Sequence, residues 1–88
     1  MADNIKLSIT TADGSGFEKQ VNYVNLPTTF GSVGILHGHA PMLCAVDNGL
    51  VRYSLEDGSK GSVIIGSGVA TVDSAEVTLL VQALKVNE

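Results

Sequence analysis

The amino-acid sequence predicts an all-β fold, an antiparallel β-sandwich or flattened barrel, on three observations. Ten glycines cut the 88 residues into short pieces, a spacing that disfavours long helices. Between them lie stretches that alternate apolar and polar side chains, or short Val, Ile and Leu runs, the patterns of half-buried and fully buried strands. Val, Ile and Leu number 11, 5 and 9 against 16% charged residues, enough branched apolar volume for one core and too little polarity for a disordered chain. Residues 1–88 are therefore read as a single domain.

Ile5-Lys6-Leu7-Ser8-Ile9-Thr10 alternates strictly and sends Ile5, Leu7 and Ile9 to one face of a first strand. A turn follows at Asp13-Gly14-Ser15-Gly16, and a second strand piece runs from Phe17 to Leu26. It stops at Pro27, which has no N–H for a ladder and suits a strand end or an edge. Gly31 and Gly34 mark an irregular link. The apolar run Met42 to Val46 leads into Asp47-Asn48-Gly49, a hairpin signal because Asn and Gly tolerate positive φ. Leu50 to Leu55 resumes the strand, Glu56-Asp57-Gly58-Ser59 turns it, and Ser62 to Ile65 returns, giving a meander. Gly66-Ser67-Gly68 then interrupts the chain, as glycines do at bulges or where backbones approach closely, before Val69 to Val72 continues. In the last segment Val77, Leu80, Val81 and Leu84 fit a helical stripe behind a capping box at Asp73 and Glu76. Val77, Leu79, Val81 and Ala83 fit period two equally well. With a strand there, the spacing yields about seven to nine short strands.

Five basic against nine acidic residues give a net charge of −4, which argues against nucleic acid, since phosphate backbones are held by clustered Lys and Arg. The same balance argues against direct adhesion to anionic lipid. A lone cysteine, Cys44, makes no internal bridge, and a reducing compartment is the simpler fit. Met1 is followed by Ala2 and Asp3 rather than by a basic and then apolar stretch, so no signal peptide is read.

Little in the sequence assembles chemistry. His37 and His39 are two apart, but a metal site needs a third ligand, and only Cys44 and Asp47 stand near. Cys44 between Leu43 and Ala45 reads as a small core residue rather than a nucleophile. Gly31-Ser32-Val33-Gly34 lacks the lysine and the strand-to-helix setting of a phosphate loop. Asp47, Glu56, Asp57 and Asp73 sit in turns, where carboxylates cap backbone N–H groups. The residues themselves point to no catalytic, metal or cofactor site.

Gly34-Ile35-Leu36-His37-Gly38-His39-Ala40-Pro41 resembles the signature of the ATP synthase epsilon subunit family, in which a Gly-Ile-Leu step leads to Gly-His-Ala-Pro. The resemblance extends to the first strand, the stretch Phe17 to Pro27, Asn48-Gly49, the Gly66-Ser67-Gly68 break and Val77-Thr78-Leu79-Leu80. It implies a β-sandwich of about ten strands, which makes the last segment a strand and brings the expected count to about 8–10. By the same resemblance the domain is a non-catalytic rotor subunit of a proton-translocating F-type ATP synthase, coupling the gamma subunit to the membrane c ring. It would be peripheral, on the cytoplasmic side of a bacterial inner membrane, and no cofactor is implied.

Carried over by position, the loop of Thr28, Thr29, Phe30, Gly31, Ser32 and Val33 corresponds to the segment that meets the c ring. The turn of Gly34, Ile35, Leu36, His37, Gly38, His39, Ala40, Pro41 and Met42 supplies the gamma-side candidates. Many members place an acidic residue in the first loop where this chain has Ser32, so a more apolar and less ionic contact is expected. Phe30 fits either a core or turn-packing aromatic or an interface residue. Longer members add a pair of C-terminal helices that inhibits ATP hydrolysis. This sequence ends at Glu88, directly after the last sandwich strand, so the expectation is a short form or a sandwich domain, without that hairpin. Two other readings stay open: a metal-binding module on His37 and His39, and an adaptor with an unrelated partner.

Overall fold

A computed structural model describes residues 4–87. The opening alternation becomes β1 (Ile5–Thr11), whose Ile5, Leu7 and Ile9 are all buried. Each such side chain contributes about 1.5–3 kcal/mol when fully removed from water. There follow β2 (Gly16–Val21), β3 (Tyr23–Thr28), β4 (Gly31–Ile35), β5 (Met42–Val46), β6 (Gly49–Ser54), β7 (Lys60–Ile65), β8 (Gly68–Val72), β9 (Glu76–Val81) and β10 (Leu84–Asn87). Among the described residues every regular element is a strand, as the glycine spacing requires.

Pairing sorts the strands into two layers. The first runs β4-β3-β6-β7-β10 and the second β5-β8-β9-β1-β2, and they join where Thr28 of β3 pairs with Val46 of β5. The result is a nearly closed, barrel-like sandwich, filled by alternate residues of both layers: Val24 and Leu26, Val51 and Tyr53, Val63 and Ile65 from one, Ala70 and Val72, Val77 and Leu79 from the other. Two hairpin turns share one sequence and one geometry. Asp13 Oδ1 accepts from Ser15 N at 3.0 Å, and Asp57 Oδ1 from Ser59 N at 2.8 Å, each ahead of the returning strand.

Several expectations are corrected. The piece from Phe17 to Leu26 is two strands rather than one: the chain leaves β2 at Asn22, whose N–H donates to Ser54 O at 2.9 Å, and enters the other layer as β3. Pro27 lies inside β3, opposite Ser32, at the point where β3 leaves β6 and meets β5. It donates nothing there, and its carbonyl accepts from Asp47 N at 2.8 Å. Gly31 and Gly34 belong to β4, not to an irregular link. Asp47-Asn48-Gly49 makes no hairpin. β5 pairs with β8 and β6 with β3 and β7, so the chain changes layers at this turn, and a local turn signal does not specify which strands it joins. The last segment is two strands, with Gln82 and Ala83 between β9 and β10, and Asp73 caps a turn by accepting from Ala75 N at 3.0 Å rather than starting a helix. Finally, the sandwich is not wholly antiparallel, since β1 runs parallel to β9, Leu7 against Val77.

Candidate functional site

Two surfaces stand out, and both follow from the register. The first is the tip of the β3–β4 hairpin. Thr28, nearly buried, donates through Oγ1 to Gly31 O at 2.6 Å and accepts from Phe30 N at 3.2 Å, while Thr29 N donates to Ala45 O at 3.2 Å. Gly31 takes φ +119°, which an L side chain rarely adopts. These contacts leave Thr29-Phe30 as a short, braced turn with the Phe30 ring 95% exposed. The loop expected from Thr28 to Val33 is therefore a strand end, a tip and a strand start, with Val33 half-buried against the core. Of the two readings of Phe30, packing within the turn is excluded by that exposure.

The second surface is the outer face of the layer containing β5. Ala45 lies opposite Val69 and Val69 opposite Leu80, while Leu43 lies opposite Thr71 and Thr71 opposite Thr78. Leu43, Val69 and Leu80 are 72%, 46% and 54% exposed. None of these six residues is charged; the second row continues through Ser8 to Glu18 on β2, which meets Lys6 at 3.8 Å. The sequence motif did not point here. The signal available was Val77-Thr78-Leu79-Leu80-Val81, apolar on both faces of one strand, a pattern of strands covered on both sides.

The remaining candidates separate. Gly34 and Ile35 are strand residues, and Ile35 is wholly buried. Leu36, His37, Gly38, Ala40 and Pro41 are exposed, and Met42 opens β5 half-buried on the core. The loop is pinned by Gly38 N donating to Ser74 O at 2.7 Å and His39 N to Leu36 O at 3.1 Å. His39 Nδ1 lies 2.7 Å from Ala40 O, a bond inside the loop. Because β4 and β5 run the length of the layers, this loop lies at their opposite end from the Phe30 tip. Cys44 is half-buried, and burial pushes its thiol up, so it is a weak nucleophile at neutral pH. Among the described residues no group of three or more His, Cys, Asp or Glu is placed to hold a metal ion.

The sandwich thus presents bare apolar side chains both at the braced tip and across the outer face of one layer. The family model for the ATP synthase Delta/Epsilon chain β-sandwich domain matches residues 4–86. The chain belongs to that family. ATP synthase epsilon chains from Lawsonia intracellularis and Prochlorococcus marinus are 37% and 35% identical over 94% and 97% of this chain, each with 62% of its own length covered. One from Synechococcus is 41% identical over 89% of this chain and 57% of its own. The chain thus spans about three fifths of the length of these relatives. The fold also resembles a chain in the cryo-EM structure of the Euglena gracilis mitochondrial ATP synthase OSCP/F1/c-ring, with TM-score 0.86 and 22% identity over 98% of this chain and 55% of that one. A chain in the Tetrahymena thermophila central stalk and c-ring structure aligns at TM-score 0.72 and 12% identity over 92% of this chain and 65% of that one.

Proposed function

We propose that this domain is the coupling part of an ATP synthase epsilon subunit, a non-catalytic rotor element gripped by the gamma subunit on one surface and by the c ring on another. The observation that carries the reading is that one continuously paired sandwich bears two uncovered apolar surfaces, the Phe30 tip and the outer face of the β5 layer. A stiff body held at two places transmits rotation without deforming, and continuous strand pairing through both layers supplies that stiffness. The Phe30 tip, with Thr28, Thr29, Gly31, Ser32 and Val33, is assigned to the c ring. Ser32 in place of an acidic residue leaves the aromatic ring as the main contact, and exposed aromatics favour interfaces. The uncharged Leu43, Val69 and Leu80 face, continued by the exposed part of the loop from Leu36 to Met42, is assigned to gamma. Attachment to the membrane is then peripheral and through the complex, on the cytoplasmic side of a bacterial inner membrane.

Pull-down of the purified chain with purified gamma tests the reading. Stable capture is expected, since such contacts bury roughly 1,000 Å² or more. Leu43→Asp and Leu80→Asp are expected to abolish capture, whereas Phe30→Asp leaves it intact. Failure of the unaltered chain to bind gamma, where a full-length epsilon chain binds, would overturn the proposal.

A further inference from the structure

The cations of this chain are unevenly placed. Among the described residues, a groove of about 960 Å³ is bordered by Lys19, Arg52 and Lys60 and by no Asp or Glu, although the chain holds five basic and nine acidic residues. Register explains the gathering. Asn25 lies opposite Arg52 and Arg52 opposite Ser62, while Tyr23 lies opposite Ser54 and Ser54 opposite Lys60, so two adjacent rows of one layer present these side chains on one face. The ion pair found among the described residues joins Lys6 to Glu18 at 3.8 Å, so Arg52 and Lys60 have no carboxylate partner among them. Lys19 differs. It lies 6.0 Å over the Tyr53 ring and also borders a shallower hollow with Glu56 and Asp57, so among the described residues Arg52 and Lys60 are the unanswered charges of the groove.

We propose that this groove is a binding site for a small anion of the phosphate class carrying several negative charges. Arg52 would hold a phosphate through its planar fork, and Lys60 would add a second cation one row away. The hydroxyl and amide groups of Tyr23, Asn25 and Ser54 offer neutral hydrogen-bond partners along the same face. A cleft lined by one sign of charge focuses its field and concentrates counter-ions. The groove is roomy for one oxyanion and falls within the roughly 300–1,000 Å³ of small-ligand sites. An acidic protein segment is the less favoured occupant, because lysine is depleted at the centres of protein interfaces and this chain offers an uncharged face elsewhere.

Calorimetric titration of the purified chain with sodium tripolyphosphate, at low ionic strength, tests the proposal. Saturable binding is expected, weakened about tenfold by Arg52→Gln and by Lys60→Gln, each the loss of one charge-assisted contact. Arg52→Lys, which keeps the charge and loses the fork, is expected to fall between. Lys6→Gln on the other layer should bind as the unaltered chain does. Amide NMR shifts on titration should centre on Asn25, Arg52 and Ser62. The absence of saturable binding would overturn the proposal, as would an equal loss with Lys6→Gln, which would mean diffuse attraction. So would a polyglutamate peptide binding at the same residues about tenfold more tightly than tripolyphosphate, the mark of a protein-docking groove. None of these outcomes depends on gamma, so the rotor reading stands or falls separately.

Discussion

Tyr53 lies across Gly61, its partner on the neighbouring strand, so closely that a Cβ on Gly61 would meet Cε1 of the ring at 2.8 Å and press harder still on its hydroxyl end. The ring is buried and tilts at 39° against Phe17, 5.8 Å between centroids, so it has little room to move aside. Gly61→Ala is therefore expected to cost about 1–3 kcal/mol, the range for overpacked cores, read as a lowered urea midpoint. Adding Tyr53→Phe should return part of the loss by removing the hydroxyl.

Gly68 has less freedom still. A Cβ there would meet backbone, Leu80 O and Val81 Cα, the latter at 2.7 Å, where β8 passes β9. Backbone cannot rotate away as a side chain does. Gly68→Ala should cost more than about 3 kcal/mol, above most single substitutions, and amide NMR should show β8 and β9 losing their dispersion together.

That close approach was legible before any coordinates, since Gly66-Ser67-Gly68 broke an otherwise apolar run. So were the first strand, the turns at Asp13-Gly14 and Asp57-Gly58, and the strand character around Val63 and Ala70, because each rests on local periodicity or local turn chemistry. Partner choice was not legible. Asn48-Gly49 reads as a hairpin from its own residues, yet β5 and β6 belong to different layers, and only long-range pairing decides that. Asn22 likewise carries no local mark of the corner it makes.

Acid should weaken the fold through its turns. Hydrogen bonds from Thr11 and Ser15 hold the Asp13 carboxyl below its ordinary value of 3.8, and those from Ser59 do the same for Asp57. A lowered native pKa means stability present above the unfolded value and lost as the pH falls through the native one. The urea midpoint should therefore be flat down to about pH 4 and drop below it. Asp13→Asn and Asp57→Asn together should flatten that drop; an unchanged acid limb would exclude these turns as its source.

Phe30 should be energetically idle in the isolated chain and important in the assembly. Phe30→Asp removes no packing, because the ring is 95% exposed, so the melting temperature should stay within about 2 °C, the effect of less than roughly 0.5 kcal/mol. Affinity for a purified c ring should fall by about thirtyfold or more, as for an interface anchor, while Lys6→Asp changes it little. The signature motif led to this tip only through resemblance. Composition alone did not find it, nor the Leu43, Val69 and Leu80 face, because an exposed apolar residue on a strand reads as core until its register is known.

The parallel contact of β1 with β9 has a consequence for how the protein is made. Leu7 waits for Val77, and β1 is the strand that holds β2 in its layer. During synthesis the early strands therefore emerge with their apolar faces bare, and the layer closes only once β9 has followed β1 out of the ribosome. Loop closure over such a span slows folding, and unpaired strand edges invite association in the interval. The same bond that seals the finished sandwich makes its birth a race against aggregation, decided by the last few strands to arrive.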